Sequence, residues 1–109
     1  MKALCITDCA DRPETELFIR LAHRMERFAI MSNPAGRYHS LLVDAGLEVI
    51  PLKIRGRFDR EATALIRDTV YAGDYDIVHA FNSRAVTCML RAAGGHRARL
   101  LAYRGVTTG

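Results

Sequence analysis

The sequence lacks the features that mark several common classes of protein. No apolar run approaches the roughly 20 residues of a membrane-spanning helix, and the apolar start at residues 3–6 breaks at Thr7, too early for a signal peptide. The three cysteines, Cys5, Cys9 and Cys88, are irregularly spaced and form no CxxC pair. A zinc site and a disulfide framework are therefore disfavoured, and a reducing cytoplasm is the expected compartment.

Glycine-rich phosphate-binding motifs are also missing. Neither GxGxxG nor GxxxxGK[ST] occurs, and the first loop, residues 8–13, contains no glycine. Ordinary dinucleotide binding and P-loop nucleotide binding are therefore disfavoured. No basic block interleaves with aromatics, so no nucleic-acid partner is expected. The formal charge of +4 permits anionic partners without requiring them.

What is present is a regular alternation of apolar strands and amphipathic helices. Half of the 109 residues are hydrophobic, which suits one globular domain. The pattern predicts strands at residues 3–7, 28–31, 47–52, 76–80 and 99–103, with a helix between each pair. Such alternation predicts an α/β domain of three layers, with a parallel five-stranded sheet in the order 3-2-1-4-5.

The predicted helices carry recognisable start and stop signals. Asp11 with Pro13 and Glu14 resembles a helix start, Asp59 caps the third helix, and Asn82 or Ser83 caps the fourth. Glycines are predicted to end the helices, at Gly46, Gly73 and Gly94-Gly95. The side chains predicted to point inward are Leu17, Phe18, Leu21, Ala22, Met25, Ala62, Leu65, Ile66, Val70, Val86, Met89, Leu90 and Ala93.

Ligands of open parallel sheets bind outside the carboxyl ends of the strands. The loops predicted at that edge carry Arg12, Arg37, Lys53, Arg55, Arg57, Arg84 and Arg104. This pattern favours an anionic ligand, since helix N-termini add positive partial charge at the same edge. The alternative is that these are solvated surface cations. His79 is interpreted as a core or strand-end residue rather than a catalytic base.

One segment resembles a known enzyme family. Residues 74–85, DYDIVHAFNSRA, resemble the (Y)DIVHAHNSRA stretch of retaining glycosyltransferases of family four, which have the GT-B architecture. Three further segments agree in order and spacing: AGLEVIPL at 45–52, RFD at 57–59 and LAYRG at 101–105. The resemblance extends over nearly the whole chain.

The resemblance implies half of a two-domain enzyme. Such enzymes place the active site in a cleft between two Rossmann-like domains, and residues 1–109 match the N-terminal, acceptor-side one. The expected activity is hexosyl transfer from a nucleotide-sugar donor to a glycan or lipid-linked acceptor in polysaccharide biosynthesis. No metal or other cofactor is implied. The location is cytoplasmic, with a peripheral contact at the inner membrane face left open. Because the donor-binding half is absent and no helix follows the fifth strand, we expect a truncated chain that is inactive alone.

The resemblance also implies substrate-binding residues, which are Asp8, Arg12, Asn82, Ser83, Arg84, Arg104 and Gly105. Two departures from the family leave the catalytic residues unassigned. The first loop lacks the family's glycine pair, and Phe81 stands where members often have a histidine close to the reacting sugar. Phenylalanine cannot move a proton. These departures favour the alternative interpretation, a non-catalytic Rossmann-like binding or partner module.

Overall fold

Strands and helices alternate along the whole described part of the chain. The computed structural model describes residues 1–8, 11–56 and 58–102. Its elements are β1 (Lys2–Ile6), α1 (Arg12–Ala22), β2 (Arg27–Ser32), α2 (His39–Asp44), β3 (Glu48–Pro51), α3 (Arg60–Gly73), β4 (Ile77–Ala80), α4 (Ser83–Ala93) and β5 (Arg99–Ala102). The predicted strands are all present, with ends that differ by no more than one residue. Tyr103, the predicted end of β5, lies outside the described residues.

The five strands form one parallel sheet in the order β3-β2-β1-β4-β5, which confirms the predicted topology. β1 is central. Leu4 pairs with Ala29 of β2 on one side and with Val78 of β4 on the other. The chain therefore leaves β1 in one direction and later returns to its opposite side, so the switch point lies between β1 and β4.

Two hydrophobic clusters, one on each face of the sheet, make the domain three layers thick. One cluster contains Ile66 of α3 and Met89 of α4, packed with Leu4 of β1. The other contains Phe18 of α1 and Leu42 of α2, together with Ala3, Cys5 and Ile30. Successive strand residues point to opposite faces, so β1 supplies both clusters. The predicted three-layer architecture is confirmed.

Polar side chains cap the helices as predicted. Asp11 and Asp59 accept hydrogen bonds from backbone N–H groups in the first turns of α1 and α3. For α4 the cap is Asn82, whose Oδ1 accepts from the Ala85 N–H at 2.9 Å, while Ser83 is the first helical residue. Each such cap stabilises a domain by about 1 kcal/mol.

Two predicted glycine stops have different outcomes. Gly46 adopts the left-handed conformation, with φ of 82°, as expected after α2. The prediction for Gly73 is wrong by one residue, because Gly73 is the last residue of α3 and Asp74 takes the left-handed conformation with φ of 48°. A short polar side chain tolerates this conformation. Glycine is needed at 73 for space, since a Cβ there would lie 2.2 Å from Cε2 of Tyr75.

Three leucines predicted to point inward lie largely in solvent. Leu17, Leu65 and Leu90 are 40%, 38% and 53% exposed. Each neighbours a fully buried residue in sequence, and adjacent residues are rotated by about 100° around a helix. A helix that packs against one face of the sheet therefore buries the neighbouring residue and leaves the leucine on the side of the helix, next to solvent. No helix in the described ranges combines the length and apolarity that crossing a membrane requires.

Candidate functional site at the β1–β4 edge

The carboxyl ends of β1 and β4 lie side by side and are followed by polar residues. The Phe81 N–H donates to the Ile6 carbonyl at 2.9 Å, which fixes the relative height of the two strand ends. Asp8 follows β1, and Asn82 follows β4. We refer to Thr7, Asp8, Glu14, Asn82 and Arg84 as the β1–β4 edge. It occupies the switch point of the sheet, where open α/β folds bind ligands.

A chain of hydrogen bonds crosses this edge from α4 to α1. Asn82 donates through Nδ2 to the Thr7 hydroxyl at 3.3 Å, and that hydroxyl donates to Oε1 of Glu14 at 3.2 Å. Asn82 therefore has two roles, because its Oδ1 also caps α4. Thr7 is almost fully buried, so its hydroxyl depends on these protein partners.

Asp8 and Arg84, two of the predicted binding residues, form an ion pair. The Arg84 Nη1 lies 3.7 Å from the Asp8 Oδ2, and the two side chains are 53% and 31% exposed. An exposed pair of this kind contributes less than about 1 kcal/mol. The pairing reduces the positive charge that Arg84 offers to a ligand, and it joins the loop after β1 to the first turn of α4.

The other predicted binding residues are placed differently. Arg12 begins α1 and pairs with Glu16 along the same helix at 3.6 Å, so its cation is not directed to the β1–β4 edge by any described contact. Ser83 is exposed at the first position of α4. Arg104 and Gly105 lie outside the described residues, as does Arg57 of the basic loop predicted at residues 53–58.

The part of the basic loop that is described lines a separate depression beyond β3. It has a volume of about 160 Å³ and is lined by Leu52, Lys53, Arg55, Glu61, Ala62 and Leu65. Pockets that enclose a small molecule usually exceed about 300 Å³. This depression is therefore too small to hold a nucleotide by itself.

Glu14 is a member of the β1–β4 edge that the sequence indicated only as part of a helix start. Burial, reinforced by the negative charge of Asp11, raises the pKa of Glu14 from 4.5 to about 7, although the hydrogen bond from Thr7 acts in the opposite direction. Its backbone N–H does donate to the Asp11 cap at 2.8 Å. The side chain, however, turns toward Thr7 instead of back to the cap, so its spacing from Asp11 indicated a helix start and not a titrating group.

Cys5, on the same face of the sheet, is an inert residue. Burial, with a contribution from Glu14, raises the pKa of its thiol to about 12. The thiol is therefore protonated at neutral pH and is a poor nucleophile. This agrees with its burial in the core beside Phe18. Cys9 lies outside the described residues.

Phe81 belongs to the core rather than to the ligand-facing surface. It is 6% exposed and packs edge-on against Phe18, with ring centroids 5.1 Å apart. The ring of His79 stacks on it at 4.2 Å. Burial lowers the pKa of His79 below its usual value, so the imidazole is neutral at pH 7. The placement of His79 as a half-buried strand residue agrees with the sequence interpretation.

The described residues offer no group of three or more histidine, cysteine, aspartate or glutamate side chains arranged to hold a metal ion. The groups that the β1–β4 edge offers for chemistry are the hydrogen-bonding side chains of Thr7 and Asn82, the Asp8–Arg84 pair and the carboxyl group of Glu14.

Comparison with known proteins relates this fold to glycosyltransferases. No protein-family model matches the sequence, and no curated protein matches it. Among solved structures, HepE of Anabaena in complex with UDP superposes with a TM-score of 0.70 at 21% identity, covering 94% of this chain and 29% of that one. MurG of Acinetobacter baumannii gives a TM-score of 0.67 at 15% identity, covering 94% and 34%.

A glycosyltransferase from Rickettsia africae superposes with a TM-score of 0.73 at 15% identity, covering 98% of this chain and 31% of that one. The chain thus spans about a third of the length of each of these proteins. At such identities the likeness concerns the fold. The five-stranded parallel sheet in the order 3-2-1-4-5, flanked by helices, is the fold found in the domains of GT-B glycosyltransferases.

Proposed function

We propose that this chain is the N-terminal, acceptor-side domain of a GT-B glycosyltransferase. The enzyme transfers a hexosyl group from a nucleotide-sugar donor to a glycan or lipid-linked acceptor, in polysaccharide biosynthesis. The observation that carries the proposal is the polar β1–β4 edge at the switch point of a sheet whose topology matches GT-B domains. The four sequence segments that resemble retaining transferases of family four support a retaining mechanism.

In this proposal the β1–β4 edge forms one wall of the active-site cleft. Asn82 and Thr7 present hydrogen-bonding groups that suit sugar hydroxyls, and Asp8 with Arg84 presents both charges. Arg12, Ser83, Arg104 and Gly105 complete the proposed wall. The donor is bound chiefly by a second domain, so the 109-residue chain is inactive alone. HepE was solved with UDP and with UDP and glucose, which supports a nucleotide sugar as the donor.

No resident cofactor or metal takes part in this proposal. The leaving nucleotide diphosphate is stabilised by cationic side chains and helix N-termini, which supply positive charge without reorganisation. We propose a cytoplasmic enzyme, because its donor is a cytoplasmic metabolite class and its three cysteines lack the spacing of a disulfide framework. Lipid-linked acceptors would bring it to the inner face of the membrane.

The direct test is sugar transfer and donor hydrolysis by the protein encoded by the full-length gene, with a panel of UDP-, GDP- and dTDP-sugars. Activity with at least one donor is expected, and no activity with any of them would count against the proposal. The variant Arg84→Ala should weaken acceptor use, because it removes a cation from the cleft wall. Arg91→Ala is the matched control, since Arg91 lies at the other end of α4.

A non-catalytic binding or partner module is the second candidate. The observation that favours it is Phe81, which fills an apolar site against Phe18 where a transferase would gain from a polar group. This candidate predicts nucleotide or glycan binding without turnover. Equilibrium binding measured beside the transfer assay separates the two candidates, because only the enzyme converts donor to product.

A further inference from the structure

Glu14 differs from the other carboxyl groups near the β1–β4 edge. Asp8 is paired with Arg84, and Asp11 caps α1. Glu14 is half-buried, and in the described part of the chain it forms no ion pair with a cation. Its described side-chain hydrogen bond is the one from the Thr7 hydroxyl, and the negative charge of Asp11 acts to raise its pKa. Neither the cap nor an ion pair explains why a carboxyl group stands here.

The direction of the hydrogen-bond chain fixes where Glu14 can hold a proton. The Ala85 N–H occupies Oδ1 of Asn82, so the Asn82 amide must donate to Thr7. Thr7 then has a single hydroxyl hydrogen, which it donates to Oε1 of Glu14. Oε1 is thereby always an acceptor. A proton on Glu14 is therefore carried by the other carboxyl oxygen, Oε2.

We propose that Glu14 takes up a proton when a phosphate-bearing ligand binds at the β1–β4 edge, so that the ligand meets a neutral hydrogen-bonded acid instead of a carboxylate. The inference rests on the proposed function, because the ligand is the diphosphate of the nucleotide sugar. Proton uptake removes one negative charge beside the ligand. It leaves every described hydrogen bond of Glu14 in place, since Thr7 donates to either form.

The surrounding groups favour this exchange near neutral pH. Burial and the Asp11 carboxylate already raise the pKa of Glu14 to about 7, and a bound anion acts in the same direction as Asp11. The other titratable or charged groups around the edge contribute little net charge. They are Cys5 of β1, which stays protonated; His79 of β4, which is neutral; Arg84 of α4, which is paired with Asp8; and Arg12 of α1, which is paired with Glu16. β2 ends at the uncharged Ser32.

The test is calorimetric binding of the same panel of UDP-, GDP- and dTDP-sugars to the full-length protein, in two buffers of different protonation enthalpy. For the donor that binds, we expect net proton uptake near pH 7. We also expect an affinity that falls about tenfold from about pH 6 to about pH 8, as linkage requires when only the protonated form of a group with a pKa near 7 binds. The phosphodiester groups of a nucleotide sugar do not titrate in this range.

The variant Glu14→Gln isolates the carboxyl group. Glutamine can accept from Thr7 through its amide oxygen and has N–H donors where the neutral acid has its proton, so it imitates the neutral acid. We expect no proton uptake and an affinity that stays at the wild-type low-pH value throughout. Glu26→Gln is the matched control, because it makes the same change at an exposed carboxylate at the amino end of β2, and it should retain the wild-type pH dependence.

Binding without proton uptake, or a Glu14→Gln protein with the wild-type pH profile, would overturn the inference while leaving the proposed function intact. If neither the wild type nor the variant binds any nucleotide sugar, both the proposed function and the proposed proton uptake by Glu14 are refuted. A carboxyl ¹³C titration of the unliganded wild type needs neither ligand nor variant. A Glu14 that titrates near the ordinary value of 4.5 would overturn the inference by itself.

Discussion

The substitution Gly73→Ala tests the packing at the end of α3, where a single added carbon meets a buried ring. The new Cβ would lie 2.2, 2.8 and 2.9 Å from three atoms of the Tyr75 ring. Carbon atoms in contact prefer about 3.5 Å or more, so the ring or the helix end must move by more than about 1 Å. Tyr75 is 1% exposed, and the Arg27 guanidinium lies 5.3 Å from its centroid.

The cost follows from two opposing contributions. Overpacking a core of this kind costs about 1–3 kcal/mol. Alanine regains up to about 1 kcal/mol of helix propensity over glycine, and less at the last helical residue. We therefore expect Gly73→Ala to lower the free energy of unfolding by about 1–2 kcal/mol.

Urea denaturation followed by circular dichroism measures this change. Gly95→Ala is the matched control, because a Cβ at 95 meets nothing within 4 Å, and it should change stability little. In a Tyr75→Leu background the ring is gone, so Gly73→Ala should cost little or stabilise slightly. A Gly73→Ala protein as stable as wild type, or an equal cost in both backgrounds, would refute the steric explanation.

Three further predictions concern the β1–β4 edge and the core residue Phe81 beneath it. Phe81→His should lower the free energy of unfolding by about 1–3 kcal/mol in the same denaturation assay, because it places a polar ring in an apolar site. Asn82→Ala should lower the free energy of unfolding by about 1–2 kcal/mol, because it removes the α4 cap and the hydrogen bond to Thr7. The control Ser83→Ala should be nearly neutral. Similar losses in the two variants would contradict the assignment of Asn82 as the cap. The raised pKa of Glu14 predicts that stability depends on pH, because the pKa is about 7 in the folded protein and 4.5 ordinarily. The protonated Glu14 therefore contributes its full share of the free energy of unfolding below about pH 4.5. This share is lost as the pH rises through 7. Denaturation between these pH values should therefore show wild type losing stability relative to Glu14→Gln, and parallel curves would contradict the shift.

The fold was predictable because local and global signals agree. Strand and helix patterns alternate regularly, and Asp11, Asp59 and Asn82 all cap helices where the pattern places them. Parallel pairing then leaves few topologies. The prediction failed where a residue's role depends on a contact: Gly73 resembles a helix stop, but the ring of Tyr75 explains it.

The candidate site was predictable only to the level of strand ends. Asp8, Asn82 and Arg84 come together because the ends of β1 and β4 meet at one edge of the sheet. Arg12 was grouped with them by its loop position, yet its described partner is Glu16 on its own helix. Whether a side chain reaches the β1–β4 edge or pairs within its own helix depends on the direction in which it points, and the position of a residue in a loop does not predict that direction.

Glu14 shows why the absence of an imidazole at position 81 does not decide between an enzyme and a binding module. Judged by that position alone, the edge has no group that exchanges protons near neutral pH. The structure supplies one from α1, joined to the end of β1 through Thr7 and to the start of α4 through Asn82. Its pKa of about 7 comes from burial and from Asp11, so it depends on packing between elements far apart in sequence. Phe81 belongs to the hydrophobic cluster that lies beneath the edge on this face of the sheet. The absence of an imidazole at position 81 is therefore compatible with proton exchange at another group, Glu14, of the same edge.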